Sequence, residues 1–480
     1  MSGQVDGVGT DTRWGGGEEY HVIVIGGGHA ALSAALSARE TAGRVLVLER
    51  APLHMRGGNS RHTRNVRCAH DAGDAYLTAE YGEAEFLDDL RRVGGGRVNE
   101  ALARFAVRES KTLPAWMAEQ GAGWQPALRG TLSLSRTNRF FLGGGKALLN
   151  AYYETCRRRG VAVRYEAPVE DVLVTGRRAE GVVVRRGERR EVVRGRAVVA
   201  ASGGFEANLE WLRRYWGDAV DNFAVRGTPY NDGMVLAALL DKGVRQVGDP
   251  RGFHAIAVDA RAPKYDGGIA TRLDSIPFGI VVNRAGERFS DEGEDLWPKR
   301  YATWGGRVAA QPGQIAYSIV DAKALGCFLP PLYKPFQAGS IGALAALVQI
   351  DPQALLRTVH AYNRASAGNT AFRADVLDGL RTSGLQPPKS NWARPIDRPP
   401  FYALPLRPGI TFTYMGVRVT PEARVQTTDG GTFRNVFAAG EIMSGNVLSS
   451  GYLGGFGMTI GTVWGRLAGA SAAAAAQEAL

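Results

Sequence analysis

Near its start the chain carries a glycine-rich turn between two apolar runs, and this unit constrains the fold more than any other stretch. The turn Gly26-Gly27-Gly28-His29-Ala30-Ala31 follows Val22–Ile25, and an alanine-rich segment then leads to Val45–Leu48. This order predicts a strand, a tight turn, a helix and a second strand. The turn also matches the G-x-G-x-x-A pattern of dinucleotide-binding folds.

Each position of the turn has a physical role in such a fold. Gly26 allows the sharp reversal, Gly28 lets the backbone approach a pyrophosphate, and the small Ala31 lets helix and strand pack closely. The helix N-terminus, at His29 and Ala30, presents free N–H groups to the phosphates.

An acidic residue follows at the end of the second predicted strand. Glu49 stands 18 residues after Ala31, where a carboxylate accepts hydrogen bonds from ribose hydroxyls. We assign Glu49 and its neighbour Arg50 to the same nucleotide site. The turn alone is weak evidence, but its position between strand and helix, with this carboxylate, makes it specific.

Two later segments repeat the pattern of an apolar strand followed by glycine. Ala197–Ser202 leads into Gly203-Gly204, and Asn435–Ala439 leads into Gly440-Glu441 before an apolar helix from about Met458 to Ala474. We expect all three units in one parallel sheet, although they lie far apart in sequence. The region between them is then an insertion with its own core, in which residues 344–367 have helical spacing.

The predicted fold is therefore α/β, with a Rossmann-like parallel sheet in a discontinuous domain and an inserted α+β capping domain. We place the first domain at residues 20–250 and 392–480 and the cap at residues 251–391. Residues 1–19 are polar and glycine-rich without the apolar core of a signal peptide, and we expect a disordered tail.

Composition excludes several classes of protein. The three cysteines, Cys68, Cys156 and Cys327, lack the spacing of a disulfide framework or an iron–sulfur cluster. We expect a cytoplasmic location from this cysteine usage. No run of 18 apolar residues is present, so we expect no transmembrane helix. The net charge of +11 comes largely from dispersed arginines, as in the predicted hairpin Arg185–Arg196, and no nucleic-acid motif accompanies it. The seven histidines lack metal-ligand spacing.

The order of motifs resembles the fumarate reductase/succinate dehydrogenase flavoprotein family. Gly57-Gly58-Asn59-Ser60 follows the second strand, and Gly279–Phe289 with Asp291-Glu292 is similar to the signature of that family's capping domain. The resemblance extends from about His21 to Gly469. It implies FAD as the cofactor, with the second strand–glycine unit near the adenosine half and Gly440-Glu441 by the ribityl chain.

The resemblance also implies how the flavin is bound. Ser60 stands where succinate dehydrogenases carry the histidine joined covalently to FAD, and His62 lies two residues beyond. We therefore expect non-covalent FAD. The residues assigned to FAD are Gly26, Gly28, His29, Ala30, Glu49, Arg50, Gly58, Asn59, Ser60, Gly203, Gly204, Gly440, Glu441 and Leu453.

Three stretches, at residues 58–65, 291–301 and 450–461, are similar to the FAD-dependent tricarballylate dehydrogenases of this family. That resemblance implies oxidation of a tricarboxylate to cis-aconitate, with electrons passed to a separate, membrane-associated acceptor protein. Contact with the membrane would then come through this acceptor. Alternatives are a ketosteroid-like or fumarate-like substrate on the same fold, or a flavoprotein without catalytic activity.

The family places a proton-donating arginine shortly after the cap signature. Arg300 is the candidate, with Tyr301 or Lys299 as alternatives because the spacing is a few residues longer. Free guanidinium rarely gives up a proton, so Arg300 would need a relay. We name three carboxylates for that relay, Glu292, Glu294 and Asp295.

For the substrate, His254 lies where the family has a carboxylate-binding histidine. Thr413 and Tyr452 stand where the family has a second histidine and a carboxylate-clamping arginine, which argues against fumarate or succinate. The residues that could restore the lost charge are Arg61, Arg64, His62 and Arg407. Such cations favour an anionic substrate.

Overall fold

The computed structural model describes residues 19–128, 134–267 and 269–478. The predicted disordered tail, apart from Glu19, lies outside these residues.

The strands are β1 Tyr20–Ile25, β2 Val45–Leu48, β3 Asn65–Arg67, β4 Asn138–Phe140, β5 Ala162–Arg164, β6 Val169–Thr175, β7 Arg178–Arg186, β8 Arg189–Ala200, β9 Ala224–Val225, β10 Gln246–Val247, β11 Phe253–Asp259, β12 Ile280–Asn283, β13 Ala316–Asp321, β14 Phe336–Ala338, β15 Phe401–Thr413, β16 Gly416–Val417, β17 Arg424–Gln426 and β18 Thr432–Ala438. The helices are α1 His29–Ala38, α2 Glu83–Val93, α3 Glu100–Glu109, α4 Leu113–Glu119, α5 Gly144–Arg158, α6 Leu209–Trp216, α7 Met234–Asp241, α8 Trp297–Arg300, α9 Trp304–Ala309, α10 Ile341–Leu347, α11 Pro352–Ala365 and α12 Phe456–Gln477.

The main sheet has the order β17-β18-β8-β1-β2-β5, with the hairpin β6–β7 attached to β8. β1 pairs in parallel with β2, where Val22 lies opposite Val45, and with β8, where Val22 lies opposite Ala197. β8 pairs in parallel with β18 through Val198 and Val436. The three strand–glycine units therefore lie in one parallel sheet, and the predicted α/β fold is confirmed.

The predicted hairpin at residues 185–196 lies in β7 and β8, which pair antiparallel with Arg186 opposite Arg189. Its arginines face solvent and form exposed ion pairs, for example Arg194 with Glu180 at 2.9 Å. Such pairs contribute little to stability. The positive charge here therefore belongs to a solvated strand face, as predicted.

Helix α12 packs along α1 through a face of small residues. Gly461, Gly465 and Gly469 recur every four residues, so they share one side of the helix. A Cβ atom at Gly465 would lie 2.7 Å from the Ala30 carbonyl oxygen, and one at Gly469 would overlap the Ala34 carbonyl. The two backbones therefore touch, which seats the N-terminus of α1 at the edge of the sheet.

The second large sheet has the order β11-β15-β13-β12, and β9 and β14 also pair with β15. Its two faces pack against different cores. In β12, Ile280 and Val282 join a cluster with Leu344 of α10 and Leu355 of α11, whereas Val281 joins the main core. The inserted sheet is thus buried on both sides and continuous with the rest of the molecule on one of them.

Two expectations about the insertion differ from the structure. The chain was expected to return to the first domain at residue 392, but β15 (Phe401–Thr413) is the central strand of the inserted sheet. The helix expected over residues 344–367 is two helices, α10 and α11. Pro352 begins α11 and the Asp351 carboxylate accepts hydrogen bonds from the Gln353 and Ala354 N–H groups, which starts a new helix.

The residues that the structure describes lack two further features. No helix among them is both long and apolar enough to cross a bilayer. No group of three or more His, Cys, Asp or Glu side chains among them is arranged to bind a metal ion.

We predict that Gly465→Ala lowers the free energy of unfolding by about 1–3 kcal/mol, because the added methyl group presses on the Ala30 carbonyl and overpacks the interface. Urea denaturation followed by circular dichroism measures the change. Gly306→Ala in α9 is the matched control, since no atom lies within 4 Å of its added Cβ. Equal stability of both variants would contradict close packing of α1 and α12.

Candidate cofactor and substrate site

One cavity lies where the glycine turns of the main sheet meet the inserted sheet. It contains about 1480 Å³ of space, including some that is open to solvent. All three strand–glycine units contribute to its lining, through Gly26–Ala30, Ala201–Gly203 and Gly440-Glu441. The segment Gly58–Ser60, predicted from the family resemblance, lines it as well.

The first turn has the geometry that a pyrophosphate requires. Gly26 has φ +108° and a Cβ there would collide with the Ala201 carbonyl, so the turn needs glycine. At Gly28, by contrast, the nearest protein atoms to an added Cβ lie 3.6 Å away, so its open side faces the cavity. The His29 N–H donates to the Ser60 hydroxyl at 3.2 Å. The His29 ring is buried, which lowers its pKa to about 3, so the ring carries no positive charge at neutral pH.

Glu49 is buried and oriented by backbone groups. Its carboxylate accepts hydrogen bonds from the N–H groups of Ala51 at 2.8 Å and Gly57 at 3.2 Å. Burial raises its pKa, although these hydrogen bonds and Arg50 act in the opposite direction. Arg50 forms an ion pair of 2.5 Å with Asp232, which also lines the cavity. The carboxylate predicted to bind ribose, Glu49, therefore lines this side of the cavity together with Arg50.

A buried pair of carboxyl groups lies at the third turn. Glu441 accepts hydrogen bonds from the Thr413 N–H at 2.8 Å and the Thr413 hydroxyl at 3.2 Å. Glu206 lies against it and accepts hydrogen bonds from Asn231, at 2.8 Å, and from Asn59. Burial raises the pKa of both glutamates, and repulsion from Glu206 raises that of Glu441 further. Thr413 thus orients Glu441 and does not line the cavity.

These features fit FAD. The cavity offers a glycine cradle, an oriented carboxylate and three backbone turns at one sheet edge. Gly204 does not line the cavity, but it leaves room for the Glu441 carboxylate and the Thr413 hydroxyl, which a Cβ at this position would overlap. Leu453 is buried outside the lining. Ala167 and Val169, which sequence analysis missed, line the cavity.

The inserted sheet supplies an aromatic wall. The His254 ring stacks on Tyr452, with centroids 3.8 Å apart and planes within 9°. His254 Nδ1 donates to the Ala302 carbonyl at 3.3 Å, while the Tyr452 hydroxyl accepts from the Gly457 N–H at 2.7 Å. Burial lowers the pKa of His254 well below its usual value, and Arg226 lowers it further. His254 is therefore neutral and contributes no positive charge.

Three arginines line this part of the cavity: Arg64, Arg226 and Arg272. Arg272 pairs with Asp274 at 2.7 Å, and its guanidinium lies 4.6 Å from the centre of the Tyr301 ring. Burial, with a smaller contribution from Arg272, lowers the pKa of Arg64 and of Arg226 to about 10 each. Both remain charged at neutral pH.

The predicted site residues divide between the cavity and its surroundings. His62, Arg64, His254, Tyr301 and Tyr452 line it. Arg61 and Arg407 do not: Arg61 donates to the His54 carbonyl at 3.2 Å, and Arg407 donates to the Ala262 carbonyl.

Arg300 also lies outside the lining. Its Nε is 3.6 Å from Glu294 and 3.8 Å from Asp295, two of the carboxylates named for its relay. Lys299 is bound by Glu85 and Asp89 at 2.9 and 3.0 Å. Of the three consecutive candidates for proton transfer, Tyr301 is the one that lines the cavity.

Sequence analysis missed Arg226, Arg272 and Glu206. A signal for the first was present, because Arg226 opens a loop of glycine and polar residues that ends at Asn231-Asp232-Gly233. Such loops after an apolar strand are typical of ligand contacts. Arg272 and Glu206 have no comparable signal.

We predict that Glu206→Gln reduces the pH dependence of stability in the flavin-free protein. A buried acid with a raised pKa binds its proton more tightly in the folded state, so the free energy of unfolding falls as pH rises above the ordinary glutamate value. The variant should therefore melt at a higher temperature than the unsubstituted chain at pH 8, with little difference at pH 4. Glu188→Gln, in an exposed turn, is the control. A wild-type pH slope in Glu206→Gln would exclude this role.

The chain is similar to known FAD-binding proteins along most of its length. Residues 21–457 match the family described as FAD binding domain. The chain is 26% identical over 469 residues to NADH:fumarate oxidoreductase of Klebsiella pneumoniae (strain 342), covering 95% of this chain and 48% of that protein. It is 26% identical over 472 residues to fumarate reductase (cytochrome) of Shewanella frigidimarina, covering 94% of this chain and 76% of that protein.

A solved structure shares the fold. It is 3-ketosteroid-Δ4-(5α)-dehydrogenase from Rhodococcus jostii RHA1, with a TM-score of 0.75, 21% identity, and coverage of 97% of this chain and 98% of that one. The chain spans about half the length of the Klebsiella relative. The family match covers most of the chain and nearly all of the cavity lining, so the chain belongs to the FAD-binding flavoproteins of the fumarate reductase/succinate dehydrogenase family.

Proposed function

We propose that this flavoprotein is an oxidoreductase that desaturates a C–C bond of a small polycarboxylate, with tricarballylate oxidised to cis-aconitate as the favoured reaction. The observation that carries the proposal is the positive charge of the cavity wall. Arg64 and Arg226 line it without an ion-pair partner among the described residues. Buried charge of this kind requires an anion.

The residues of this wall have roles in such a reaction. Desaturation removes a proton from one carbon and a hydride from its neighbour, and FAD, when bound, accepts the hydride at the flavin N5. Arginines that bind carboxylates hold the two carbons in a fixed orientation. Tyr301 is our candidate for the proton acceptor, acting as a tyrosinate that becomes a neutral phenol, because its ring lines the cavity and its oxygen lies against Gly454.

Arg300 remains the second candidate for proton transfer. Glu294 and Asp295 lie within 4 Å of its guanidinium and support the proposed relay. Because Arg300 lies behind the lining, it would act on substrate only after a movement of the cap. Tyr301→Phe and Arg300→Met separate the two assignments by their effect on the rate of flavin reduction.

A second candidate substrate is a neutral ring ketone. Phe412, Tyr452 and Met458 give the cavity an apolar component, and a ketosteroid dehydrogenase shares the fold. The two unpaired arginines favour the polycarboxylate, since a neutral ligand would leave their charge without compensation.

The proposed reaction also needs an acceptor for the electrons. We propose a separate electron-acceptor protein, associated with the membrane as in the tricarballylate dehydrogenases that the sequence resembles. The names of the two relatives above include NADH and cytochrome, so different electron carriers occur among similar proteins. Contact of this chain with a membrane would be through its acceptor, consistent with a cytoplasmic location.

We predict that anaerobic addition of tricarballylate bleaches the oxidised-flavin absorption band of the purified holoprotein. Each molecule of the acid loses a hydride to the flavin and a proton to the protein, so the flavin gains two electrons and excess substrate should reduce it. Bleaching by a 3-ketosteroid in the absence of any response to tricarballylate, succinate or related acids would show that the substrate is not a polycarboxylate.

A further prediction concerns the cofactor. Gly28→Ala should lower FAD affinity by about tenfold or more, corresponding to about 1.4 kcal/mol, because the methyl group enters the phosphate cradle and meets no protein atom closer than 3.6 Å. The flavin-to-protein ratio after dialysis measures this, and an unchanged melting temperature of the apoprotein shows that the fold is intact. Retention of all FAD would contradict the assignment of Gly28.

The mode of attachment has its own test. We expect acid precipitation to release all flavin into the supernatant, because no histidine occupies position 60 and His62 is bound to Asp266 at 2.6 Å. A yellow protein pellet would show a covalent bond.

A further inference from the structure

We propose that Arg226 is the principal anchor for a substrate carboxylate, with Arg64 binding a second carboxylate of the same molecule. This inference rests on the proposed polycarboxylate substrate and identifies the residues that recognise it. Neither arginine stands at the two positions where the family's charged residues are replaced, which are Thr413 and Tyr452.

The first argument is that the side chain of Arg226 has no partner. It is only 8% exposed, it lines the cavity, and its Nε lacks a hydrogen-bond acceptor. No side-chain hydrogen bond or ion pair joins it to any of the described residues. Arg64 has two such nitrogen atoms, Nε and Nη2, and likewise forms no ion pair within that part of the chain.

Other buried arginines of this protein differ sharply. Arg67 is fully buried and donates to the carbonyls of Gly454 and Pro298 and to the Tyr81 hydroxyl, at 3.0, 3.3 and 3.0 Å. Arg288 pairs with the buried Glu292 at 2.5 Å. Arg61, Arg272 and Arg300 also have an Nε without a hydrogen bond, but each of them has a carboxylate within 4 Å. Among the described residues Arg226 has no such carboxylate, so its buried Nε at the cavity marks a candidate ligand site.

The charged and polar groups around Arg226 also favour a bound anion. The groups that most favour its charged form are the hydroxyls of Tyr301 and Tyr452, and no carboxylate ranks with them. Arg226 in turn lowers the pKa of His254 and of His62, which are both buried. An anion bound at Arg226 would compensate the local positive charge and would touch the ring that we assign to proton transfer.

The backbone holds Arg226 firmly at the junction of the two sheets. Its N–H donates to the Ile410 carbonyl at 2.8 Å, and its own carbonyl accepts from the Thr411 hydroxyl at 3.1 Å. Gly227 follows because a Cβ there would overlap the Asn59 amide. Arg226 is thus fixed to β15 of the inserted sheet and to the segment Gly58–Ser60, which lines the FAD side of the cavity.

Tyr452 occupies the position at which the family has a carboxylate-binding arginine, so the cations of this cavity lie at other positions. Its ring stacks on His254 and its hydroxyl accepts the Gly457 N–H, so this position forms a neutral wall. A carboxylate in the cavity can instead be bound by Arg226 and Arg64, which line it from two other segments of the chain. This arrangement selects polycarboxylates by cations that the family pattern does not contain.

The test is a binding titration of the oxidised holoprotein, which does not depend on turnover. We expect cis-aconitate and tricarballylate to perturb the flavin absorption spectrum, and Arg226→Met to weaken both affinities by about tenfold or more, as for a lost charge-assisted hydrogen bond. Arg226→Lys should retain part of the affinity. Arg64→Met should weaken tricarballylate more than propionate, which has one carboxylate.

Arg213→Met is the matched control, since it removes the same charge from a surface ion pair with Asp221. FAD content and melting temperature are compared for all variants, and Arg226→Lys keeps the test valid if Arg226→Met does not fold. Wild-type affinity in Arg226→Met, equal losses in Arg213→Met, or no binding of any polycarboxylate would overturn the inference.

The outcome is separable from that of the proposed reaction. Binding that depends on Arg226 without flavin reduction would retain the anion site and reject the dehydrogenase activity. Flavin reduction by tricarballylate, together with unaltered binding in Arg226→Met, would retain the dehydrogenase activity and reject Arg226 as the anion site.

Discussion

The parallel pairing of β8 with β1 on one side and β18 on the other is the constraint on which the site depends. The carboxyl ends of parallel strands lie at one edge of a sheet, so three turns from distant parts of the chain meet there. The glycine face of α12 then lets α1 approach until backbones touch. These two contacts set the position of the Gly28 cradle relative to Glu441, and the cavity forms between them.

The second determinant is unpaired charge. Burying a guanidinium without an acceptor is unfavourable, and both Arg67 and Arg288 have hydrogen-bond acceptors in this protein. Arg64 and Arg226, which line the cavity, nevertheless have no ion-pair partner among the described residues, although the Arg64 guanidinium lies 5.2 Å from the centre of the Phe140 ring. A bound anion would recover this free energy, so binding and stability are linked at the same residues. The unfavourable burial of charge lies where a bound ligand can compensate it, as is common at functional sites.

The buried carboxyl groups of Glu206 and Glu441, in contrast to these arginines, have hydrogen-bond partners within the protein. Two acids buried together favour the protonated form, and Asn59, Asn231 and Thr413 supply the surrounding hydrogen bonds. This network joins the segment after β2, the loop after β9 and the end of β15. The FAD side of the cavity and the inserted sheet are therefore connected by polar contacts as well as by the shared apolar core.

The sequence by itself determined the strand–turn–helix unit, the three glycine turns and the insertion, because local periodicity and glycine positions reflect backbone requirements that act over a few residues. It did not determine which of Lys299, Arg300 and Tyr301 lines the cavity, since consecutive helical residues point about 100° apart and only packing selects one. Nor did it reveal Arg226 or Arg272, which stand outside the recognised motifs. Only the tertiary structure brings these residues together, because the pairing of β9 with β15 joins positions nearly two hundred residues apart at the cavity wall.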